Sequence, residues 1–137
     1  MVIVDTSVLV DFINGVTNPE TEWLDLRLDR QRFGLTTLIL TEVLQGFRDD
    51  REAALVHAEL AAFEIVELHD VGLAVDAARN YRHLRNAGRT VRKTVDLLIA
   101  THCIRNHHSL LHLDHDFDAF EKHLGLHVIH PSDQLKP

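Results

Sequence analysis

The chain opens Met1-Val2-Ile3-Val4-Asp5-Thr6-Ser7-Val8-Leu9-Val10, and the reading of this stretch decides the fold class. Val2, Ile3 and Val4 are β-branched with no polar residue among them, which predicts a strand buried on both faces. Asp5-Thr6-Ser7 follows at once, a run whose side-chain oxygens favour the cap of a helix over continuation of a strand. Val8 to Ile13 then predicts a short helix that stops at Asn14-Gly15. A buried strand passing directly into a helix is the beginning of a β-α-β unit, and hence of a parallel sheet.

The alternation continues along the chain. Pro19 suits the first turn of a second helix carrying Trp23, Leu24, Leu26 and Leu28. Phe33-Gly34-Leu35 predicts a strand, and Thr37 to Gly46 a helix ended by glycine. Residues 50–61 read as helical and 64–68 as a strand. From Val71 to Ala87, the spacing of Ala74, Ala77, Ala78, Tyr81 and Leu84 predicts a helix closed by Gly88. Thr94 is placed to cap another helix, with Val95, Leu98, Ile99 and Cys103 as its inward stripe. Leu110-Leu111 and Val128-Ile129 read as the last strands. Short apolar strands separated by helices predict an α/β fold whose parallel sheet is covered on both faces. No repeat or linker divides the 137 residues, so residues 1–130 read as one domain and 131–137 as a short C-terminal tail.

Composition narrows the function classes. Hydrophobic residues make up 45% and charged residues 26%, the balance of an ordinary globular domain. No apolar run approaches the ~18 residues that would span a bilayer, and no basic segment precedes an apolar one. With one cysteine, Cys103, no internal disulfide can form, and a cytoplasmic protein without a membrane partner is expected. The net charge of −7 argues against nucleic-acid binding through bulk positive charge. Any chemistry on phosphates would need a local basic patch or a metal.

In parallel α/β sheets, ligands gather at the carboxyl ends of the strands, which directs attention to the acids there. Asp5 follows the first strand, where capping a helix is its ordinary role. Glu42 sits in Leu38-Ile39-Leu40-Thr41-Glu42-Val43-Leu44, among residues apolar enough to bury part of its carboxylate. Asp96 lies in the first turn of a helix, where the helix dipole alone would favour it by ~0.3–1 kcal/mol. Asp114, Asp116 and Asp118 alternate after Leu110-Leu111; one of them is expected to do no more than cap a turn. Asp114 is the first choice for a site and Asp116 the second. Carboxylates within ~4–6 Å raise one another's pKa unless a cation neutralises them. Magnesium, which takes oxygen ligands and retains water, suits such a cluster, and phosphodiester hydrolysis is its natural chemistry.

A basic stretch lies beside the acids. Arg79, Arg82, Arg85, Arg89, Arg92 and Lys93 occur with no intervening acid. Arg82, Arg85 and Arg89, at i, i+3 and i+7, read as one helix face that either is simply solvated or contacts phosphate. The chain's 11 histidines include no HExxH motif, so a zinc site is not expected; His112 and His115 flank the acids and are placed to modulate them.

These residues together resemble the PIN domains of VapC-type toxins over nearly the whole chain. Val-Ile-Val-Asp5-Thr6-Ser7-Val-Leu is similar to the first motif of that family and Thr41-Glu42-Val-Leu-Gln-Gly46 to the second. Tyr81-Arg-His-Leu-Arg-Asn-Ala-Gly88 with Thr94-Val-Asp96-Leu-Leu-Ile-Ala100 is similar to the third, and Leu110-Leu-His-Leu-Asp114-His-Asp116-Phe117 to the fourth. The last departs from the family pattern, with His112 where a threonine is common. The resemblance implies a three-layer α/β/α sandwich and magnesium or manganese as cofactor. It also implies endoribonuclease activity, on transfer or ribosomal RNA, by the toxin of a toxin–antitoxin pair. A VapB-like antitoxin whose tail blocks the site, and toxin homodimers within the complex, come with it.

The roles that follow assign metal binding to Asp5, Asp96 and Asp114, activation of water to Glu42, and assistance or a second ion to Asp116. Thr6 or Ser7 would position ligands, and Arg82, Arg85 and Arg89 would steer the RNA. The leading alternative is a PIN-like binding module without catalysis. A phosphatase of the haloacid dehalogenase type is disfavoured because its Asp-x-Asp is here Asp5-Thr6-Ser7, and a flavodoxin-like receiver domain is weaker still.

Overall fold

The computed structural model describes residues 1–134. In chain order the elements are β1 (Val2–Val4), α1 (Thr6–Ile13), α2 (Pro19–Arg27), β2 (Phe33–Thr36), α3 (Thr37–Leu44) and α4 (Asp50–Glu59). A 3-10 turn (Leu60–Ala62) leads to β3 (Glu64–Val66), α5 (Val71–Asn86), α6 (Thr94–Asn106) and β4 (Ser109–Leu111). A second 3-10 turn (His115–Phe117) precedes α7 (Asp118–Leu124), β5 (His127–Val128) and α8 (Pro131–Gln134). The expected alternation of strand and helix is what forms. The tail expected over 131–137 begins as α8, which packs against α2 with Pro131 buried; its last three residues lie outside the described ones.

The strands form one parallel sheet in the order β3-β2-β1-β4-β5. From β1 the chain steps outward to β2 and β3, then crosses back to β4 on the other side of β1 and on to β5. Right-handed crossovers therefore put the first helices on one face and the later ones on the other. Accordingly α1 packs on α2 and α3, while α5 packs on α6 and α7, giving a three-layer α/β/α sandwich. Ile3, Val4, Leu35, Leu110 and Leu111 are fully buried between the layers, which is why the central strands show no apolar–polar alternation; the edge strand β3 is largely exposed. The reversal of strand order falls between β1 and β4. A crevice opens at the carboxyl ends of two strands where their connections diverge to opposite faces.

Three local expectations are corrected. The buried stripe of α5 is Leu73, Ala77 and Leu84, whereas Ala74 and Ala78 are exposed; the helix is rotated relative to the predicted face because leucine buries more apolar area than alanine. Thr94 does not cap α6. Lys93 holds the cap position with extended backbone, and no side chain satisfies the cap. Finally, α5 ends at Asn86 and Gly88 adopts φ 79°, a left-handed turn that suits glycine. Arg89 therefore lies in the loop beyond the helix, not on the face shared by Arg82 and Arg85. Cys103 is fully buried, with its thiol pushed up to about 12 by burial, an inert core residue. Among the described residues no helix is long and apolar enough to cross a membrane.

Candidate metal centre

The crevice between β1 and β4 collects acids from four separate parts of the chain. Asp5 comes directly after β1, its N–H donating to the Leu111 carbonyl at 2.9 Å and so extending the strand pairing by one residue. Its side chain is only 4% exposed and performs the expected capping: Oδ2 accepts from the Ser7 N–H at 3.1 Å and from the Ser7 hydroxyl at 2.7 Å. The Ser7 oxygen in turn accepts from the Leu113 N–H at 2.9 Å. Ser7 thus ties the exit of β1 to the exit of β4.

Thr6 donates from Oγ1 to Glu42 Oε1 at 3.0 Å, bringing α3 over the same crevice. Glu42 is half-buried. Burial raises its pKa, the Thr6 hydrogen bond opposes this, and Asp5 and Asp114 raise it further against Lys93. Thr36 begins α3 by accepting the Ile39 N–H at 3.1 Å, and that fixed start sets which residue of the helix faces the acids.

Asp96, in the first turn of α6, is 5% exposed, and its Oδ2 is buried without a hydrogen-bond partner. Burial pushes its carboxyl up to about 6; Asp5, Asp114 and Glu42 add to the rise, and Lys93 opposes it. Asp114 follows β4. Its N–H donates to His112 Nδ1 at 3.1 Å, and its Oδ1 accepts the Asp116 N–H at 2.9 Å. The 3-10 turn thereby holds Asp114 and Asp116 together. One carboxylate oxygen each of Asp96, Asp114 and Asp116 lie within 4.8 Å of one another. Lys93 Nζ stands 3.8, 3.6 and 4.0 Å from these three residues.

The five acids singled out in the sequence thus meet at one place, but the tightest trio is Asp96, Asp114 and Asp116, with Asp5 beside it and engaged by Ser7. Asp118 stays outside the trio and pairs with His115 at 3.0 Å. His112 is a wall of the site: its ring packs on Phe117 at 5.0 Å between centroids, and burial lowers its pKa. A hard divalent cation fits these donors. They are all carboxylate oxygens, one is buried with nothing bonded to it, and a cationic nitrogen already sits against all three.

Beside the trio lies a cavity of about 430 Å³ lined on one side by Gly88 to Arg92 and on the other by Asp116, Asp118 and Lys122. Arg89, Arg92 and Lys122 thus supply positive charge next to the acids. Arg82 and Arg85 do not line it; both are exposed, with the Arg85 guanidinium 5.7 Å from the Tyr81 ring centre. Lys122 has no signal in the sequence that singles it out, and Arg92 and Lys93 stand there only as members of the basic stretch. Lys93 carried a usable signal, since it lies three residues ahead of Asp96 and side chains at that spacing are neighbours.

Comparison with known proteins agrees with the geometry. The sequence pattern of the PIN domain family matches residues 2–123. Ribonuclease VapC11 of Mycobacterium tuberculosis is 30% identical over 128 residues, which are 89% of this chain and 92% of that protein. Among solved structures, VapBC2 from Rickettsia felis, bound to a DNA fragment from its promoter, superposes with a TM-score of 0.76 at 19% identity. It covers 94% of this chain and 98% of that one. VapBC-5 of Mycobacterium tuberculosis, a member of the VapBC family of toxin–antitoxin systems, reaches 0.64 at 27% identity, covering 93% and 95%. A fold, an acidic crevice at its strand-order reversal and a relative matched over nearly its whole length converge: the chain belongs to the PIN-domain family and, within it, to the VapC ribonucleases.

Proposed function

We propose that this chain is the toxin of a toxin–antitoxin pair and acts as a magnesium-dependent endoribonuclease, with manganese as a substitute ion. The observation that carries the reading is the meeting of five acids from distant parts of the chain around the buried, unpartnered oxygen of Asp96. So many carboxylates in one crevice cost stability, and a protein retains such an arrangement for the ion it holds. Asp96, Asp114 and Asp116 would hold the ion, with Asp5 completing the site. When bound, the ion polarises the phosphoryl oxygens and lowers the pKa of water.

The chain's own residues do the rest. Glu42, whose proton affinity is raised by burial, takes a proton from the attacking water as its oxygen bonds to phosphorus. The phosphorus–oxygen bond to the leaving nucleoside breaks, and that oxygen receives a proton from solvent. Asp5 and Ser7 hold the ends of β1 and β4 in register beneath the reacting phosphate. Arg89, Arg92 and Lys122 grip neighbouring phosphates of the strand, which provides affinity without choice of base. Transfer or ribosomal RNA is the substrate class, the cytoplasm the compartment, and a VapB-like antitoxin the inhibitor, within a complex that contains a toxin homodimer. The relatives' membership of VapBC systems supports the partner.

The test is cleavage of total cellular RNA by antitoxin-free protein, with magnesium, with manganese and with EDTA, beside Asp5→Asn and Asp114→Asn. Discrete fragments that need the metal and disappear in both variants are the expected result. Folded wild-type protein that cuts nothing with either metal would transfer the assignment to a binding module that uses the same pocket without hydrolysis.

A further inference from the structure

We propose that Lys93 is an internal counter-cation of the acidic site: its ammonium keeps Asp96, Asp114 and Asp116 assembled in the metal-free protein, and an entering divalent ion has to displace it. The inference rests on the metal-dependent reading above and adds a determinant of metal affinity to it. The first argument is geometric. Lys93 Nζ lies at 3.8, 3.6 and 4.0 Å from Asp96, Asp114 and Asp116. Each distance is longer than the ~2.7–2.9 Å of a charge-assisted hydrogen bond. The ammonium therefore belongs to no single carboxylate and stands against all three, as a bound cation would.

The second argument is the backbone. Lys93 is the residue before α6, with φ −125° and ψ 127° and no side-chain cap on the helix. A capping serine or aspartate there would satisfy helix N–H groups; lysine has no acceptor with which to do so. What this position offers lysine is proximity, one turn ahead of Asp96 on the same side of the helix. The side chain is 55% exposed, so a flexible stem joins an ammonium among the acids to open solvent, and release needs no rearrangement of the core. The third argument is the unpartnered Oδ2 of Asp96, whose side chain is more than nine-tenths buried. Lys93 is close enough to offset its charge but too far to bond it, which leaves that oxygen available to a metal.

A divalent ion carries twice the charge of lysine and bonds the oxygens directly, so it wins the competition; the competition nevertheless weakens its binding. The prediction is measured by isothermal titration with Mn²⁺ alone on wild type, Lys93→Gln, Lys93→Arg and Arg92→Gln. Arg92→Gln removes the same charge from the cavity wall, where no ion pair links Arg92 to the acids among the described residues. Lys93→Gln should bind Mn²⁺ at least about fivefold more tightly than wild type, whereas Lys93→Arg and Arg92→Gln stay within about twofold. Metal-free Lys93→Gln should also melt lower than wild type and gain more in melting temperature from saturating Mn²⁺. Unchanged or weaker Mn²⁺ binding by Lys93→Gln would overturn the proposal, as would an equal gain in Arg92→Gln. If neither wild type nor Lys93→Gln binds Mn²⁺ at all, the metal-dependent reading itself falls, and this inference with it.

Discussion

The two ends of α6 each bury an ionisable side chain with an unsatisfied atom, and they handle the problem in opposite ways. At the N-terminal end, Asp96 has a bare Oδ2, further acids around it and a pKa pushed up to about 6. At the C-terminal end, His102 is 9% exposed, Nδ1 meets the Asn106 amide at 3.2 Å, and Nε2 is buried without a partner. Burial lowers the His102 pKa, helped by His108, whose ring lies 5.5 Å away, and by Arg105. Arg105 itself is tied at 3.0 Å to both Asp70 and Asp76, so charge at that end is paired within the protein. A histidine at neutral pH escapes the cost of burial by remaining uncharged. Five acids in one crevice cannot all do so, and one lysine cannot neutralise them. Internal neutralisation is complete at one end and incomplete at the other, and that difference supports the proposed metal site at the N-terminal end of α6.

The largest expected effect breaks this comparison if it fails. Asp96→Asn should lower kcat/KM for RNA cleavage by about 1,000-fold or more, a loss of roughly 4 kcal/mol of transition-state stabilisation. His102→Gln, an equally buried change on the same helix, should stay within about threefold. Steady-state cleavage of a fluorogenic RNA oligonucleotide, with circular dichroism to confirm folding, measures both. Equal losses in the two variants would show that the acidic end is distinguished by stability and not by chemistry.

The contrast was unevenly legible in the sequence. Val2, Ile3 and Val4 announced β1 because a strand buried on both faces has no polar option, and Asp5 marked its exit. Glu42 stood out as one carboxylate in an apolar run. The order of strands did not follow from any local pattern, yet it is what brings β1 beside β4 and joins residues 5 and 114. Nearness to the strand end ranks Asp114 first and Asp116 second, but it does not show what holds the two together. The 3-10 turn does that: Asp114 accepts the Asp116 N–H while Asp118 turns to His115. Arg89 was assigned to a helix face because its i+7 spacing from Arg82 holds only if the helix continues, and Gly88 at φ 79° ends that continuity. Lys93 was read as one more member of a basic run; its role depends on where the β4 loop goes, which is tertiary information.

A smaller effect with the opposite sign to the loss of activity is expected at the same residue. In metal-free protein at pH 7.5, Asp96→Asn should raise the free energy of unfolding by about 2 kcal/mol, because it removes a buried charge that nothing in the chain bonds directly. The amide keeps the shape of the carboxyl, so packing against the neighbouring β4 loop is preserved. Urea denaturation in EDTA measures the change. Saturating Mn²⁺ should erase or reverse the advantage, since the ion stabilises the wild-type carboxylate by binding the native state alone. A variant no more stable than wild type in EDTA would mean that Lys93 already offsets the whole cost of Asp96.

The smallest effect tests the other end of α6. The folded-state pKa of His102 lies below its ordinary 6.5, so the unfolded chain binds the extra proton first as pH falls. Stability contributed by the neutral ring is therefore complete above about pH 6.5 and is lost progressively below it, down to the folded-state pKa. Replacement by glutamine, which does not titrate, should flatten this part of the curve. The difference in unfolding free energy between wild type and His102→Gln should shift against wild type between pH 7.5 and pH 5. Contributions from Asp96 are common to both proteins and cancel in that difference. Denaturant titrations at several pH values supply it. A flat difference would mean that His102 is as readily protonated in the fold as in the unfolded chain, and the two ends of α6 would then no longer be opposites.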